Sequence, residues 1–520
     1  MQSWQKVMRI RARSVKVLLV GAALLAISCA GPSATFSSES ISGRDKPELG
    51  TVAHAGSPLP VRLAPGQVVK GGYLTTPEEL RAIRAKADRG VEPDRTSVAR
   101  VLERAGEVWD YPLEAVAECG GADRPKWNDN DRGLSILYAK ALAYHLTGDA
   151  AYAAEVRVIL ERIMTEVRSI SLEEPQCQLN FSWSSPELVA SAALIEDYWA
   201  GMTCSGPLTF DQADRTIGGG PCKRLFQNWL VKNPYYVVSY AGESAQSNWG
   251  AAATNAMAHI ADYTRDREDV TLVGRRPPRI EGGRETALSP AAAFDYANRL
   301  ALDRMNGYRV EHSSSRSCDV MQGGQQLGSR PPVKSQITEL GILPEDARRE
   351  QHCNIERYGS EYQNYPQLHI GNLIQQCELM LRRGDSSCYD NVDETDIPDY
   401  VFSDQDGVSH LTHLRPGRGS LERAINAVII DAGMEWRRDD ALAVAFAYYR
   451  EHQRLGGVFQ WPAHINNGTI CSQDICFGLL THSPGSVAPV GLYRSFLSSV
   501  DAAYSRQSAP QGRGLSPRRG

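Results

Sequence analysis

The chain has 520 residues, of which 42% are hydrophobic and 22% are charged, so a large folded core is expected and disorder throughout is excluded. The formal net charge is -5 at pH 7, and a protein with this balance has no overall positive field to attract nucleic acid. Binding of a polyanion would therefore need a local cluster of basic side chains.

Residues 1–30 are typical of an export signal. Basic residues precede an apolar run over 17–27, and small residues follow at 28–30. The run is too short for a comfortable membrane span. The letters LAISCAG resemble a bacterial lipoprotein signal, which would leave lipid on Cys29, and ordinary cleavage after Ala30 is the alternative. Either route predicts an exported protein that is periplasmic, extracellular or held at the cell surface by that lipid.

The chain has 11 cysteines, and the even number that remains beyond Cys29 indicates disulfide bonds in an exported protein. Proximity in the sequence predicts pairs of Cys204 with Cys222, Cys471 with Cys476, and Cys119 with Cys177. Cysteine and histidine spacings do not match a zinc site, and DQDG at 404–407 lacks the other ligands of a calcium loop. No metal and no other cofactor is predicted.

Both ends of the chain differ in composition from its centre. Residues 31–70 are rich in Gly, Ser and Pro without a helical period, which predicts a disordered tether. Residues 506–520, RQSAPQGRGLSPRRG, are predicted to be a disordered tail for the same reason. A single folded domain is therefore expected over residues 71–505.

Helical periodicity begins at the start signal Thr76, Pro77 and Glu78, which precedes LRAIRAKA. Further helices are predicted for SVARVLERAGEVW, GLSILYAKALAYHLTG, AAYAAEVRVILERIMTEV, PELVASAALIEDYWAG, FQNWLVKN, NWGAAATNAMAHIADYTRD, AAAFDYANRLALDRM, GSLERAINAVIIDAGMEWR and DDALAVAFAYYREHQ. Strand-like alternation is nearly absent, and only 308–340 and 456–482 are expected to hold short hairpins or loops. The pattern predicts an all-α fold of helical hairpins whose inner helices line a central cleft. The alanine-rich stretch 250–261 is expected on an inner helix.

The candidate site is the stretch EDARREQHCNIERYGSEYQNY, residues 345–365, which gathers arginine, histidine and tyrosine just before an apolar helix. The stop signal of that helix is Gly384, and its apolar stripe consists of Leu368, Leu373, Ile374, Cys377, Met380 and Leu381. A polar cluster at the mouth of a buried helix suits an enzyme with a cleft. The alternative is a solvated helix face.

Five motifs follow one another along the chain. They are AKALAYHLTGDAAYAAEVRVIL, SNWGAAATNAMAHIADYTRDRE, GILPEDARREQH with Glu345, Arg348 and His352 at E-x-x-R-x-x-x-H spacing, YQNY at 362–365 with the later RRGDSSCY, and AYYREHQRLG at 447–456. In this order they resemble the alginate lyase superfamily, from about residue 74 to residue 456. The resemblance implies an α/α toroid and an exported enzyme that cuts uronate polysaccharides by β-elimination.

Two departures from the family pattern affect the predicted site. Gln246 stands where one branch of the family has a histidine three residues before its tryptophan, so one candidate base is absent. The distance from Arg348 to Tyr362 is also longer than usual, which indicates an insertion that contains Cys353.

The resemblance implies catalytic roles for four residues. Elimination needs donors that meet the uronate carboxylate as negative charge builds on it, and the neutral amide of Asn248 and the fork of Arg348 suit this. The alternative for Asn248 is a helix N-cap before Trp249. Tyr362 is expected to donate a proton to the leaving oxygen, and His352 is expected to be the base, because imidazole titrates near neutral pH. A tyrosine that acts as both base and acid stays an alternative.

The expected partner is an anionic polysaccharide, with no nucleic acid and no membrane contact beyond the lipid, and a monomer is expected. Residues expected to bind the sugars are Gln246, Trp249, Tyr448, His452 and Arg454. The identity of the polymer, internal or terminal cleavage, and syn or anti elimination all stay open.

Two other functions fit the same residues. A glycoside hydrolase on a similar toroid needs two carboxylates that flank the bond, and Glu345, Asp346 and Glu361 are available. A surface glycan-binding lipoprotein without catalytic activity is the alternative outside enzymes, and Gln246 in place of a histidine favours it. Only the lyase forms a product with a conjugated double bond, so ultraviolet absorbance separates it from the hydrolase.

Overall fold

The structure is a computed structural model, and the predicted export signal, tether and tail lie outside the residues that it describes. It describes residues 71–73, 75–90, 94–119, 131–205, 208–210, 215–217, 219–245, 247–275, 285–307, 321–322, 325–326, 337–338, 340–343, 346, 364–393, 400–403, 409–412, 419–428 and 445.

Helices dominate these ranges. In chain order they are α1 Pro77–Asp88, α2 Asp94–Ala105, α3 Asp131–Thr147, α4 Ala150–Glu166, α5 Pro175–Leu194, α6 Glu196–Trp199, α7 Cys222–Lys232, α8 Pro234–Ser244, α9 Asn248–Tyr263, α10 Pro290–Met305, α11 Asn364–Arg382, α12 Ser387–Asp390 and α13 Leu421–Asn426. The predicted all-α class is confirmed. None of the helices in the described ranges is both long enough and apolar enough to cross a membrane.

Several helix ends follow the sequence signals. Thr76 Oγ1 accepts from the Glu79 N–H at 3.2 Å, and Glu79 Oε2 accepts from the Thr76 N–H at 2.9 Å, which closes a capping box at the start of α1. Gly148 and Gly384 have positive φ and follow α3 and α11. The predicted start at Thr76 and the predicted stop at Gly384 are confirmed.

Helix α5 differs from its prediction. The sequence pattern starts at Pro186, whereas the helix starts at Pro175, carries Pro186 inside it and breaks at Ile195 before α6. Proline removes one backbone hydrogen bond and usually marks a helix start, which explains the error. Serine hydroxyls in α5 donate to the backbone carbonyl one turn earlier in the same helix, as Ser184 Oγ does to the Asn180 carbonyl at 2.7 Å.

Helix α8, PYYVVSYAGES, was not predicted either. Its β-branched and aromatic residues have weak helix propensity, and Tyr235, Val237 and Val238 are all buried, so they form no one-sided stripe. Packing of α8 against α5 and α9 stabilises the helix in place of intrinsic propensity.

Six two-stranded sheets border the helices in the described part of the chain. One is parallel, β1 Val116–Ala117 with β2 Ser169–Ile170. The others are antiparallel: β3 Thr203–Cys204 with β6 Gly220–Pro221, β4 Leu208–Phe210 with β5 Arg215–Ile217, β7 Leu272–Gly274 with β8 Thr286–Leu288, β9 Met321–Gln322 with β10 Gln325–Gln326, and β11 Tyr400–Ser403 with β12 Ser409–Thr412. The β9 and β10 pair confirms the hairpin predicted in 308–340. The other strands lie outside the predicted regions, because alternation does not show in two to four residues.

Helices α9 and α11 run parallel through the centre of the fold. Asn255 Nδ2 donates to Gln375 Oε1 at 2.5 Å near the middle of both helices. Arg383, just past the end of α11, pairs with Asp262 near the end of α9 at 2.5 Å. The two contacts have sequence separations of 120 and 121, so the helices point the same way and stay in register.

Helices α3 and α5 end together in the same manner. Tyr144 Oη donates to Asp197 Oδ2 at 3.0 Å, and His145 Nε2 donates to the Leu194 carbonyl at 2.5 Å. The C-terminal ends of all four helices line one groove, to which His145, Leu194, Tyr263 and Arg383 contribute. Four inner helices therefore run parallel, while α4, α8 and α10 pack against them as hairpin partners. This arrangement is the predicted α/α toroid.

Helix α9 is enclosed on all sides. Residues 250–263 are all buried, and the helix packs against α5, α8, α10 and α11. The neighbours approach closely at Gly250, where an added Cβ would lie 2.0 Å from the Ala245 carbonyl oxygen and 2.8 Å from Arg304 Nε. The predicted inner position of 250–261 is confirmed.

Disulfide bonds tie the outer connections to the helices. The described part of the chain contains Cys119–Cys177, Cys204–Cys222 and Cys377–Cys388. The first two confirm the predicted pairs, whereas Cys471 and Cys476 lie outside the described residues. The third is a pair that proximity in the sequence did not specify, and it agrees with the expectation that the cysteines beyond Cys29 form disulfide bonds. Cys377 lies on the buried apolar stripe of α11 and is also bonded to Cys388 of α12.

Candidate functional site

The first turn of α9 carries the predicted amide donor. Asn248 is the first residue of the helix and is buried, with 1% of its surface exposed. Ser247 is the N-cap, since its Oγ accepts from the Trp249 N–H at 3.4 Å. The alternative that made Asn248 the N-cap is therefore wrong. Trp249 is half-buried beside it.

Asp346 joins the start of α9 to the second turn of α11. Its Oδ1 accepts from the Asn248 N–H at 3.0 Å, and its Oδ2 lies 2.5 Å from His369 Nδ1. The Asp346 and His369 side chains are 0% and 2% exposed. With Asp346 Oδ2 as the acceptor, His369 donates this hydrogen bond from Nδ1.

Asp346 belongs to the motif that continues to Arg348 and His352 in the sequence. The structure thus brings Asn248 together with a residue of that motif, although 98 residues separate the two in the chain. The other predicted site residues lie outside the described residues, namely Gln246, Arg348, His352, Tyr362, Tyr448, His452 and Arg454.

Sequence reasoning missed His369 and offered Asp346 only as a carboxylate for the hydrolase alternative. His369 is adjacent to Leu368 of the predicted apolar stripe, and α11 is buried on all sides from residue 366 to residue 380. The signal that could have identified His369 is its position within a buried helix, because a buried polar side chain needs a hydrogen-bond partner.

His259 lies on α9 well away from this first turn and has a different environment. It is fully buried, stacks on Tyr73 with ring centroids 5.5 Å apart, and donates from Nδ1 to the Asn255 carbonyl at 2.8 Å. Burial lowers the pKa of His259 from 6.5 to about 4. Burial also raises the pKa of Tyr73 well above its ordinary value, and Asp262 adds to this effect. Both side chains are therefore neutral at pH 7.

A groove of about 940 Å³ lies at the C-terminal ends of the inner helices, opposite the end that carries Asn248. Its basic side chains are already paired. Lys223 contacts Glu196 at 2.7 Å and Asp266 at 2.8 Å, and Arg383 contacts Asp262 at 2.5 Å. Neutralised cations attract a polyanion weakly, so this groove is a poor match for the predicted substrate.

Metal ligands do not converge in the described ranges, where no group of three His, Cys, Asp or Glu side chains is placed to hold an ion. The absence of a required metal stays a prediction.

No protein-family model matches the sequence, and no curated protein matches it. Among solved structures, the chain is similar to the crystal structure of an alginate lyase from Bacteroides ovatus, with 13% sequence identity and a TM-score of 0.41. The similarity covers 82% of this chain and 99% of that chain.

Proposed function

We propose that this protein is an exported polysaccharide lyase that cleaves a uronic-acid polymer, of the alginate or glucuronan type, by β-elimination. The observation that supports it is the hydrogen bond from the Asn248 N–H to Asp346, at 3.0 Å. This bond joins two motifs that the resemblance to the alginate lyase superfamily assigns to one site. Asn248 lies in the first, and Asp346 precedes Arg348 by two residues in the second.

Neutralising the uronate carboxylate is the first requirement of the reaction. The proton at C5 of a uronate is weakly acidic until the neighbouring carboxylate is stabilised by hydrogen-bond donors. Asn248 supplies an uncharged amide, and its burial strengthens any hydrogen bond that it makes to a developing negative charge. Arg348 supplies a charged fork that binds a carboxylate in bidentate fashion.

Proton transfer is the second requirement. Tyr362 donates to the leaving oxygen in this proposal, and His352 removes the C5 proton, unless a tyrosine performs both steps. Gln246, Trp249, Tyr448, His452 and Arg454 bind the neighbouring sugars. Trp249 is half-buried, and its indole ring is proposed to stack on a sugar.

Export is part of the proposal. Disulfide bonds persist in oxidising compartments, and the bridges Cys119–Cys177, Cys204–Cys222 and Cys377–Cys388 support one. Lipid on Cys29 would hold the enzyme at a membrane surface. Mass spectrometry of the mature N-terminus distinguishes this from a product that begins at Gly31.

Incubation of the purified protein with a panel of uronic-acid polymers tests the function. A lyase produces ultraviolet absorbance from the unsaturated uronate. Asn248→Ala should lower kcat about a hundredfold, with a smaller change in KM, because its amide acts mainly on the transition state. Asn255→Ala is the matched control on the same helix, and it should lower the melting temperature without lowering kcat.

The remaining variants separate the roles within the same experiment. Arg348→Ala should raise KM and lower kcat, since its charge meets the carboxylate before and during the reaction. Tyr362→Phe should abolish nearly all turnover with the fold intact, and near-wild-type turnover would reject its assignment. His352→Ala should be equally severe if His352 is the base, and should keep partial activity if a tyrosine does both steps. New reducing ends without ultraviolet absorbance would indicate a hydrolase. Binding of the polymer without new reducing ends and without ultraviolet absorbance would indicate a glycan-binding protein.

A further inference from the structure

Asp346 uses both carboxylate oxygens to join two segments that are distant in the sequence. Oδ1 accepts from the Asn248 N–H at 3.0 Å, and Oδ2 pairs with His369 Nδ1 at 2.5 Å. The carboxylate and the imidazole are almost fully buried. A buried carboxylate is expensive unless hydrogen bonds compensate for lost water, so the three groups depend on one another.

Capping alone does not account for this arrangement. The first turn of a helix has free N–H groups, and Ser247 already accepts one of them as the N-cap of α9. A second acceptor fully inside the protein, itself held by a histidine of another helix, adds little stability, since apolar replacements of buried charges are often neutral or stabilising. What it adds is a fixed position for the Asn248 backbone.

We propose that Asp346 and His369 are a positioning pair for Asn248. The pair holds the start of α9, and therefore the direction of the Asn248 amide, in the place where a uronate carboxylate is bound. This inference rests on the proposed lyase function.

Helices α9 and α11 share a second buried contact, which provides a control for the test. Asn255 on α9 and Gln375 on α11 are joined at 2.5 Å, midway along both helices and away from Asn248. Both side chains are buried, as Asp346 and His369 are. Gln375→Ala therefore breaks a buried contact between α9 and α11 without touching the proposed positioning pair.

The test compares full-length Asp346→Ala, Asp346→Asn, His369→Ala and Gln375→Ala with the wild-type protein. Hydrogen exchange at the first turn of α9 should accelerate in Asp346→Ala and His369→Ala but not in Gln375→Ala. On the polymer that the wild type cleaves, these two variants should lose about a hundredfold in kcat, since small displacements of a catalytic group have effects of this size, and KM should change less. Gln375→Ala should lower the melting temperature and keep kcat.

The asparagine variant separates positioning from other roles. In Asp346→Asn, the side-chain oxygen still accepts from the Asn248 N–H, and the amide group can donate to His369 Nδ1 in the other tautomer. A positioning role predicts that Asp346→Asn recovers most of the activity that Asp346→Ala loses. The double variant of Asp346 and His369 to alanine should be no worse than Asp346→Ala, because both act through one path.

Three results would overturn the inference: unchanged exchange in Asp346→Ala and His369→Ala, accelerated exchange with unchanged kcat, or an equal loss of kcat in Gln375→Ala. A wild-type protein that cleaves no uronic-acid polymer refutes the proposed function, and the catalytic role of the pair with it. The exchange measurement then still decides whether the pair anchors α9, so the two failures are distinguishable.

Discussion

His259 is held neutral by burial. The ring has no exposed surface, and among the described residues its Nε2 has no hydrogen-bond partner. A second proton on this ring would place an uncompensated charge and an unpaired N–H in the core. Protonation of His259 therefore destabilises the folded state of α9.

Acidification should destabilise the protein through His259. The unfolded chain takes up a proton on this residue below about pH 6.5, whereas the folded protein takes it up only near pH 4. The contribution of His259 is thus complete above pH 6.5 and is lost as the pH falls toward 4, with a total of about 3 kcal/mol. Urea unfolding across this range should show a smaller pH dependence in His259→Gln. Parallel curves for the two proteins would contradict the prediction.

The sequence allowed Asn248 to be predicted as a site residue, but it did not predict the contacts of Asp346. Asn248 could be located because the family resemblance rests on a local motif, in which the amide stands next to a tryptophan and ahead of an alanine-rich helix. The contact of Asp346 with Asn248 and His369 was not found, because it depends on the parallel register of α9 and α11. Helical periodicity specifies which face of each helix is apolar, and it does not specify how two helices align along their axes.

Close packing limits the residues that α9 tolerates in its first turn. Gly250 lies so near the preceding backbone that a Cβ would meet the Ala245 carbonyl oxygen at 2.0 Å. Backbone atoms at that distance have to move, and the displacement would reach Asn248 two residues earlier.

Gly250→Ala should lower the free energy of unfolding by about 3 kcal/mol, the upper end of the range for overpacked cores. Gly201→Ala is the matched control, since nothing lies within 4 Å of an added Cβ there. Thermal unfolding of both variants checks this, and melting temperatures that agree with each other would refute the close approach.

Helices could be predicted where a capping residue marks the helix start. α1 and α4 follow the caps Thr76 and Asp149, which accept hydrogen bonds from first-turn N–H groups. α8 begins with Asn233 and Pro234, but the Asn233 side chain makes no capping hydrogen bond, and Pro186 inside α5 gave a misleading start signal. In both cases tertiary packing overrides local preference, because burial on several faces hides the one-sided stripe that identifies a surface helix.

The described disulfides differ greatly in the length of chain that they close. Cys119–Cys177 spans 58 residues, whereas Cys377–Cys388 spans 11. A longer closed loop restricts the unfolded chain more strongly, so the two bridges should contribute unequally to the stability of the whole molecule.

Replacing both cysteines of each pair by alanine should show this difference. Loss of Cys119–Cys177 should lower the free energy of unfolding by about 1.5 kcal/mol more than loss of Cys377–Cys388, on chain entropy alone. Urea unfolding of the two double variants measures the difference, and thiol titration confirms that the other bridges stay intact. A larger loss from the shorter bridge would show that packing of Cys377 in α11 dominates.

The parallel direction of α3, α5, α9 and α11 also gives the centre of the molecule an electrical polarity. Peptide dipoles along each helix add to roughly half a positive charge at its N-terminus and half a negative charge at its C-terminus. The hairpin partners α4, α8 and α10 pack against these helices, and their dipoles oppose this polarity at long range. At the C-terminal ends, Lys223 and Arg383 are paired with carboxylates of the same groove. The end where Asn248 and the Asp346 carboxyl group lie is therefore the one at which the helix dipoles favour negative charge, in a chain whose net charge is -5.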